Sequence, residues 1–197
     1  RTTASYDSMI AQYLTKKANV ENPESITLNY DLKQTLRYGE NPHQKASLYE
    51  GSYTSYSIVK AKQLQGKELS YNNIQDANAG LNIIKEFSEP CCVALKHMNP
   101  CGVATGDNIL DAWHKTYNAD SVSIYGGIVA FNRNVTKQVA EAMKKVFLEI
   151  IMAPSYDDDA LEILIKKPNC RVMVVDMESE FNETTQSITI NGGLLVQ

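Results

Sequence analysis

The chain has 197 residues, 43% of them hydrophobic and 21% charged, with a formal net charge of −4. That is the composition of an ordinary globular protein, long enough to remove roughly 70% of its unfolded surface from water. The acidic balance argues against a nucleic-acid scaffold built on phosphate contacts, and no apolar run approaches the ~20 residues of a membrane span. Tyr6, Met9, Ile10, Tyr13 and Leu14 recur at helical spacing, so residues 3–18 are expected to form an amphipathic helix, followed by a linker through Lys16-Lys17-Ala18-Asn19. Ile26, Leu28, Tyr30 and Leu32 alternate as in a strand, and Ala46, Leu48 and Ile58-Val59 suggest further short strands. Helical patterns follow at 73–87, 107–118, 135–147 and 158–166, the last ending before Pro168. Between them lie β-rich apolar runs at 91–97, 121–131, 148–153 and 171–176. Strand alternating with helix implies crossover connections and a sheet covered on both faces, an α/β fold. No internal repeat, low-complexity tract, secretory signal or nucleotide-binding glycine fingerprint stands out.

The segment richest in chemistry is Ala94-Leu95-Lys96-His97-Met98-Asn99-Pro100-Cys101-Gly102. Cys91 to Leu95 reads as a buried strand, and Asn99-Pro100 with Gly102 as a sharp turn. The end of a strand beside a turn is where α/β proteins usually place reactive groups. Lys96 supplies a donor for developing negative charge, and His97 an imidazole that can act as a general base. The plainer alternative is a solvated lysine at a strand end and a packed imidazole ring. A second segment, Leu36-Arg37-Tyr38-Gly39-Glu40-Asn41-Pro42-His43-Gln44, joins a guanidinium fork suited to phosphate to turn-forming residues that imply a fixed backbone. Gly126-Gly127 is expected to follow an apolar strand, where backbone could approach a ligand closely or form a tight turn.

The four cysteines are Cys91, Cys92, Cys101 and Cys170, and the adjacent pair suits free, buried thiols in a reducing compartment better than a disulfide. A zinc deaminase would need a His or Cys ligand followed two residues on by Glu, and a Pro-Cys-x-x-Cys pair. Lys45, Asn99 and Thr116 stand at that distance from the three histidines, and no Cys pair has the spacing, so no metal site is expected.

Taken together, Leu36 to Gln44, Tyr71-Asn72-Asn73-Ile74-Gln75-Asp76-Ala77, Lys96 to Gly102, Tyr125-Gly126-Gly127-Ile128-Val129-Ala130 and Ile151-Met152-Ala153-Pro154-Ser155-Tyr156 occur in a family's order. The chain resembles the first half of the transformylase domain of the bifunctional purine-biosynthesis enzymes, which join phosphoribosylaminoimidazolecarboxamide formyltransferase to IMP cyclohydrolase. The resemblance covers nearly the whole chain. It implies a three-layer α/β/α, cytidine-deaminase-like fold for residues 23–197, with residues 1–22 as the closing helix and linker of the preceding cyclohydrolase domain. It implies transfer of a formyl group from 10-formyltetrahydrofolate, as co-substrate, to the amine of 5-aminoimidazole-4-carboxamide ribonucleotide.

By that resemblance His97 steers the amine's proton, and Lys96 stabilises the oxyanion or protonates the leaving folate nitrogen. Arg37 and Tyr38 match positions that hold the nucleotide and its phosphate, and His43 a position near the ribose or base. Asn73 and Glu149 match polar ribonucleotide contacts, and Gly126 lines the base. Tyr125 stands where the family often has Phe, so its ring can stack while its hydroxyl has no assigned role. Taken by themselves, Asn73 reads equally as a helix cap and Glu149 as a solvated strand end. The resemblance further implies a cytoplasmic homodimer with no nucleic-acid or membrane partner. Both ends read as cut, so the chain is expected to be a fragment that lacks folate contacts and does not turn over alone. A non-catalytic α/β module that only binds or dimerises stands as the alternative.

Overall fold

The computed structural model describes residues 1–51, 56–179 and 186–197. Its elements in chain order are α1 (Thr2–Lys17), β1 (Asp31–Leu36), β2 (Ala46–Glu50), β3 (Lys62–Gln65), α2 (Tyr71–Ile84), β4 (Cys91–Lys96), β5 (Asn99–Thr105), α3 (Ile109–Ala119), β6 (Gly127–Phe131), α4 (Lys137–Met143), β7 (Leu148–Ala153), α5 (Asp158–Leu164), β8 (Arg171–Val174), β9 (Ser187–Ile190) and β10 (Gly193–Val196). They fall into two units, Arg1–Thr35 with Ser47–Ser52, and Leu36–Ala46 with Tyr53–Gln197.

In the first unit α1 takes the helical register that its apolar spacing predicts. Tyr6, Met9, Ile10, Tyr13 and Leu14 are nevertheless exposed. The Gln12 amide donates to the Thr27 carbonyl, and Asn29 Nδ2 donates to Ser5 O at 3.4 Å. The alternation from Ile26 to Tyr30 does not produce a strand, because β1 begins only at Asp31.

The second unit is built on a six-stranded mixed sheet in the order β3-β8-β7-β6-β4-β5. Strands β6, β7 and β8 are parallel, whereas β4 runs antiparallel to both its neighbours and β3 antiparallel to β8. All five apolar residues of β4 are buried, and they divide between the two faces with period two. Cys91, Val93 and Leu95 pack with Ala77, Leu81 and Ile84 of α2, while Cys92 and Ala94 join Trp113, Val139 and Leu164 from α3, α4 and α5. A strand covered on both faces must be apolar throughout, which explains why β4 and β6 read as runs and not as alternation. Each fully buried large apolar side chain contributes about 1.5–3 kcal/mol relative to exposure. Trp113 anchors the larger cluster, with its ring centroid 5.7 Å from Tyr117 and 6.3 Å from Phe131.

Several sequence expectations are corrected. Asn99-Pro100 and Gly102 form no turn; they lie in β5, at the sheet's edge, with Pro100 opposite Leu95 where the register shifts. An edge or bulge tolerates a residue without an N–H. Ile58 is buried but sits in a turn, and the adjacent strand is β3. The run 121–131 is a strand only from Gly127, so Gly126 precedes the strand rather than following one. No helix among the described residues is long and apolar enough to cross a membrane.

Gly102 is fixed by packing. A Cβ there would lie 2.4 Å from the Thr116 carbonyl oxygen of α3. Gly102→Ala is therefore expected to lower the unfolding free energy by about 1–3 kcal/mol, the usual cost of overpacking. Urea unfolding of variant and parent measures it; an unchanged midpoint would show that α3 moves away freely.

Candidate functional site

Because β4 runs against β6, β7 and β8, its carboxyl end lies among their amino ends. Lys96, His97, Gly126 and Glu149 lie at that edge of the sheet, and Asn73 reaches Glu149 from α2. Lys96 ends β4 and pairs with Asn99, leaving His97 and Met98 as a two-residue hairpin turn. Both have positive φ, 54° and 61°. A two-residue turn with both centres left-handed normally takes Asn-Gly or Gly-Gly. His and Met there cost on the order of 1–2 kcal/mol each. Two hydrogen bonds hold the turn: Met98 N donates to Asp76 Oδ1 of α2 at 2.8 Å, and Asn99 Nδ2 donates to His97 O at 2.7 Å. His97 is thereby presented to solvent on a rigid hairpin tip.

The Lys96 ammonium donates to Tyr125 O at 3.1 Å. An ammonium carries three donors, so two remain for a ligand. The next residue, Gly126, has φ +72°, and its N–H donates to Phe147 O at 2.8 Å. A Cβ on Gly126 would sit 3.9 Å from Lys96 Nζ and 3.8 Å from the Phe147 ring, so glycine leaves this wall low. The exposed Tyr125 ring packs against Phe147, with centroids 5.4 Å apart.

Asn73 is a helix cap, as one of its two readings expects. With Ser70 it forms a capping box at the start of α2, and its Nδ2 donates to Glu149 Oε2 at 2.9 Å. Glu149 also faces Arg171 Nη1 at 3.8 Å. Arg171 is largely buried, and its remaining nitrogens donate to the Lys67 and Glu68 carbonyls. Glu149 is therefore tied on two sides, not a free strand end.

The loop 37–44 has the fixed backbone that its turn residues predict. Gly39 N donates to Gln44 O at 2.9 Å, Gln44 N to Asn41 O at 3.0 Å, and Asn41 N to Gln44 Oε1 at 2.7 Å. The Arg37 guanidinium lies over the Tyr38 ring, 5.0 Å from its centroid. Arg37 and His43 are exposed, and Tyr38 is half-buried. Asn72 Nδ2 donates to Glu40 O at 3.3 Å, which ties the loop to the first turn of α2.

Lys96, Tyr125 and Gly126 thus form one group, Asn73 and Glu149 a second, and Arg37 with Tyr38 a third. The first two turns of α2 touch a member or a flank of each. Asn72, Asp76, Phe147 and Arg171 are not among the candidate site residues, although Asn72 and Asp76 lie in a motif that carries the resemblance. Asn72 and Asp76 had a readable signal, since Asn72-Asn73-x-x-Asp76 puts short polar side chains one turn apart at a helix start. Phe147 and Arg171 had none, because only the register of β7 and β8 brings them to this edge.

The thiols are not poised as nucleophiles. Burial, with some repulsion from Glu89, pushes Cys91 up to about 11, and burial holds Cys92 well above the usual thiol range. Burial also raises Cys101, beside Lys96 at the sheet's edge. Among the described residues no group of three His, Cys, Asp or Glu side chains is placed to hold a metal ion.

The family model described as AICARFT/IMPCHase bienzyme matches residues 1–197. Relatives that it matches bear the name bifunctional purine biosynthesis protein PurH. The protein from Limosilactobacillus reuteri is 53% identical over 199 residues, that from Lactococcus lactis subsp. cremoris 57% over 202, and that from Halalkalibacterium halodurans 54% over 198. Each alignment takes in the whole chain and 39% of the relative, so the chain spans about two fifths of the length of the curated relatives it matches.

Asn73→Ala removes the reciprocal cap and the Glu149 contact together. We expect a loss of about 1–2 kcal/mol in unfolding free energy, read from urea unfolding of the protein. No change in midpoint would mean that solvent replaces this amide at no cost.

Proposed function

The chain belongs to the AICARFT/IMPCHase bienzyme family, and on that premise we propose that it contributes the nucleotide-binding half of a formyltransferase. The proposed reaction moves a formyl group from 10-formyltetrahydrofolate to the amine of 5-aminoimidazole-4-carboxamide ribonucleotide, in purine biosynthesis. The observation that carries the reading is the edge of the sheet itself. A lysine, a histidine on a strained tip and a low glycine wall lie at that edge, and the loop that carries Arg37 is tied to the start of α2.

The amine to be formylated is a poor nucleophile, because its lone pair is delocalised into the ring and carboxamide. It needs to lose its proton as it attacks. His97 accepts that proton on its imidazole while the new N–C bond forms, a contribution of roughly a hundred- to ten-thousand-fold. Lys96 donates to the tetrahedral oxyanion, a contribution of about 10²–10³ for one such donor. As the oxyanion collapses, the bond from the formyl carbon to the folate nitrogen breaks, and Lys96 supplies that nitrogen's proton. Tyr125 O already orients the ammonium toward Gly126. The glycine's missing side chain leaves room for a planar base beside the Tyr125 and Phe147 rings.

Arg37 and Tyr38 bind the phosphate end, with the guanidinium pre-stacked on the ring. His43 of the same loop approaches the ribose or base. Asn73 and Glu149, held to each other, accept and donate to the ribonucleotide's polar edge. In this reading residues 1–22 close the preceding cyclohydrolase domain and residues 23–197 form the first half of a cytidine-deaminase-like transformylase domain. The folate contacts belong to the remaining length of the parent protein, a homodimer whose site is shared. The chain alone lacks them and does not turn over.

Two outcomes test this. In the full-length protein, Lys96→Ala and His97→Ala should each lower kcat by about a hundredfold or more with a much smaller change in KM. The isolated chain serves as a control without turnover; near-parental kcat in both variants would sink the assignment. Arg37→Ala should weaken binding of the ribonucleotide by about 1.5–3 kcal/mol, the range for a hydrogen bond to a charged group. Calorimetry should find that loss with the nucleotide and not with its dephosphorylated nucleoside; equal losses on both would place Arg37 elsewhere.

A further inference from the structure

The strained hairpin tip between β4 and β5 makes a demand that the reaction alone does not explain. His97 and Met98 both adopt left-handed backbone, and neither is a residue that takes it readily. Such a turn persists only where its surroundings over-determine it. The Asn99 amide satisfies the His97 carbonyl from within the hairpin. From outside it, the bond that fixes the tip is Met98 N to Asp76 Oδ1 at 2.8 Å. A carboxylate accepting from a backbone N–H makes a charge-assisted bond, stronger than a neutral one. Asp76 stands on α2, one residue before Ala77, and Ala77, Leu81 and Ile84 are buried against the sheet. Its carboxylate is therefore mounted on an element that packing holds still.

We propose that Asp76 is a positioning residue: through the Met98 N–H it locks the left-handed turn and so sets where the His97 imidazole is presented. This rests on the reading of His97 as the proton acceptor. Asp76 acts on the backbone and not on the reacting atoms. If the lock is lost, the tip relaxes toward conformations that His and Met prefer, and the direction of the His97 Cα–Cβ bond changes with φ. Affinity for the nucleotide, which rests on Arg37, Tyr38, Asn73 and Glu149, would change little.

The test uses the full-length protein with Asp76→Ala, Asp76→Asn and the double variant Asp76→Ala/Met98→Gly. Asn keeps an oxygen acceptor at the same place. Gly at position 98 adopts positive φ without strain and removes much of what the lock opposes. We expect Asp76→Ala to lower kcat at least tenfold with KM for the ribonucleotide within threefold of the parent. We expect Asp76→Asn to stay within threefold of parental kcat, and Met98→Gly to recover most of the loss in the Ala background. Hydrogen exchange of the peptide covering residues 96–100 gives a readout independent of turnover. Protection at the turn should fall in Asp76→Ala and be retained in Asp76→Asn, with exchange elsewhere unchanged. Parental kcat in Asp76→Ala, or a loss that neither Asn nor Met98→Gly relieves, overturns the proposal. If the parent protein shows no formyl transfer, the functional reading fails, and so does the catalytic purpose assigned to the lock. Exchange in Asp76→Ala then separates the two: unchanged protection at the turn overturns the lock as well.

Discussion

Three side chains on the first turns of α2, Asn72, Asn73 and Asp76, reach three different pieces of backbone or side chain and hold them at one edge of the sheet. Asn72 takes the Glu40 carbonyl, Asn73 the Glu149 carboxylate, and Asp76 the Met98 N–H. Each partner lies at the end of a strand or in a loop, where no ladder hydrogen bond fixes its position. The helix can serve as a reference because its other face is driven into the core by Ala77, Gly80, Leu81 and Ile84. Gly80 matters to that docking, since a Cβ there would meet Leu95 at 3.0 Å and Met152 at 3.3 Å. The hydrophobic face of α2 supplies the energy of attachment, and its polar start spends that rigidity on orientation.

The direction of β4 is the second constraint. An antiparallel strand in the middle of the sheet brings a carboxyl end together with the amino ends of β6, β7 and β8. The site therefore departs from the usual carboxyl-edge placement of α/β proteins. One consequence is close backbone contact. A Cβ on Gly127 would lie 2.8 Å from the Leu95 carbonyl oxygen and 3.0 Å from that of Ile124, so the strand start next to Lys96 tolerates only glycine without movement. The left-handed turn at 97–98 and the left-handed Gly126 face each other across that junction. Three left-handed residues thus cluster at this junction, while β6, which starts there, is buried along its whole length.

Gln65, Asn132 and Thr116 use their polar groups for structure. Gln65 Nε2 lies within hydrogen-bond reach of the carbonyls of Leu164, Lys167 and Cys170 at the end of α5, and Asn132 links β4 to the turn after α2. Thr116 donates to the Cys92 carbonyl from α3. These bonds satisfy backbone groups that burial would otherwise leave unpaired. At the candidate site, Lys96, His97, Arg37 and His43 are exposed.

The sequence by itself determined the α/β class, the four helices of the second unit and the buried strands at 91–96 and 148–153. Those features depend on local periodicity and on residue chemistry, both written along the chain. It also carried the family resemblance, because the motifs keep their order and spacing. What it could not determine was strand direction and neighbour. Asn99-Pro100 and Gly102 looked like a turn because Pro and Gly break local structure, yet β5 is an edge strand that tolerates the one and needs the other against Thr116. The true turn, His97-Met98, has no turn residue in it, and its Met98 N–H donates to Asp76 on another element. Arg171 and Phe147 reached the site only through the register of β7 and β8. Tertiary structure decided these points because each rests on a contact between segments distant in sequence, where packing overrides what the local residues prefer.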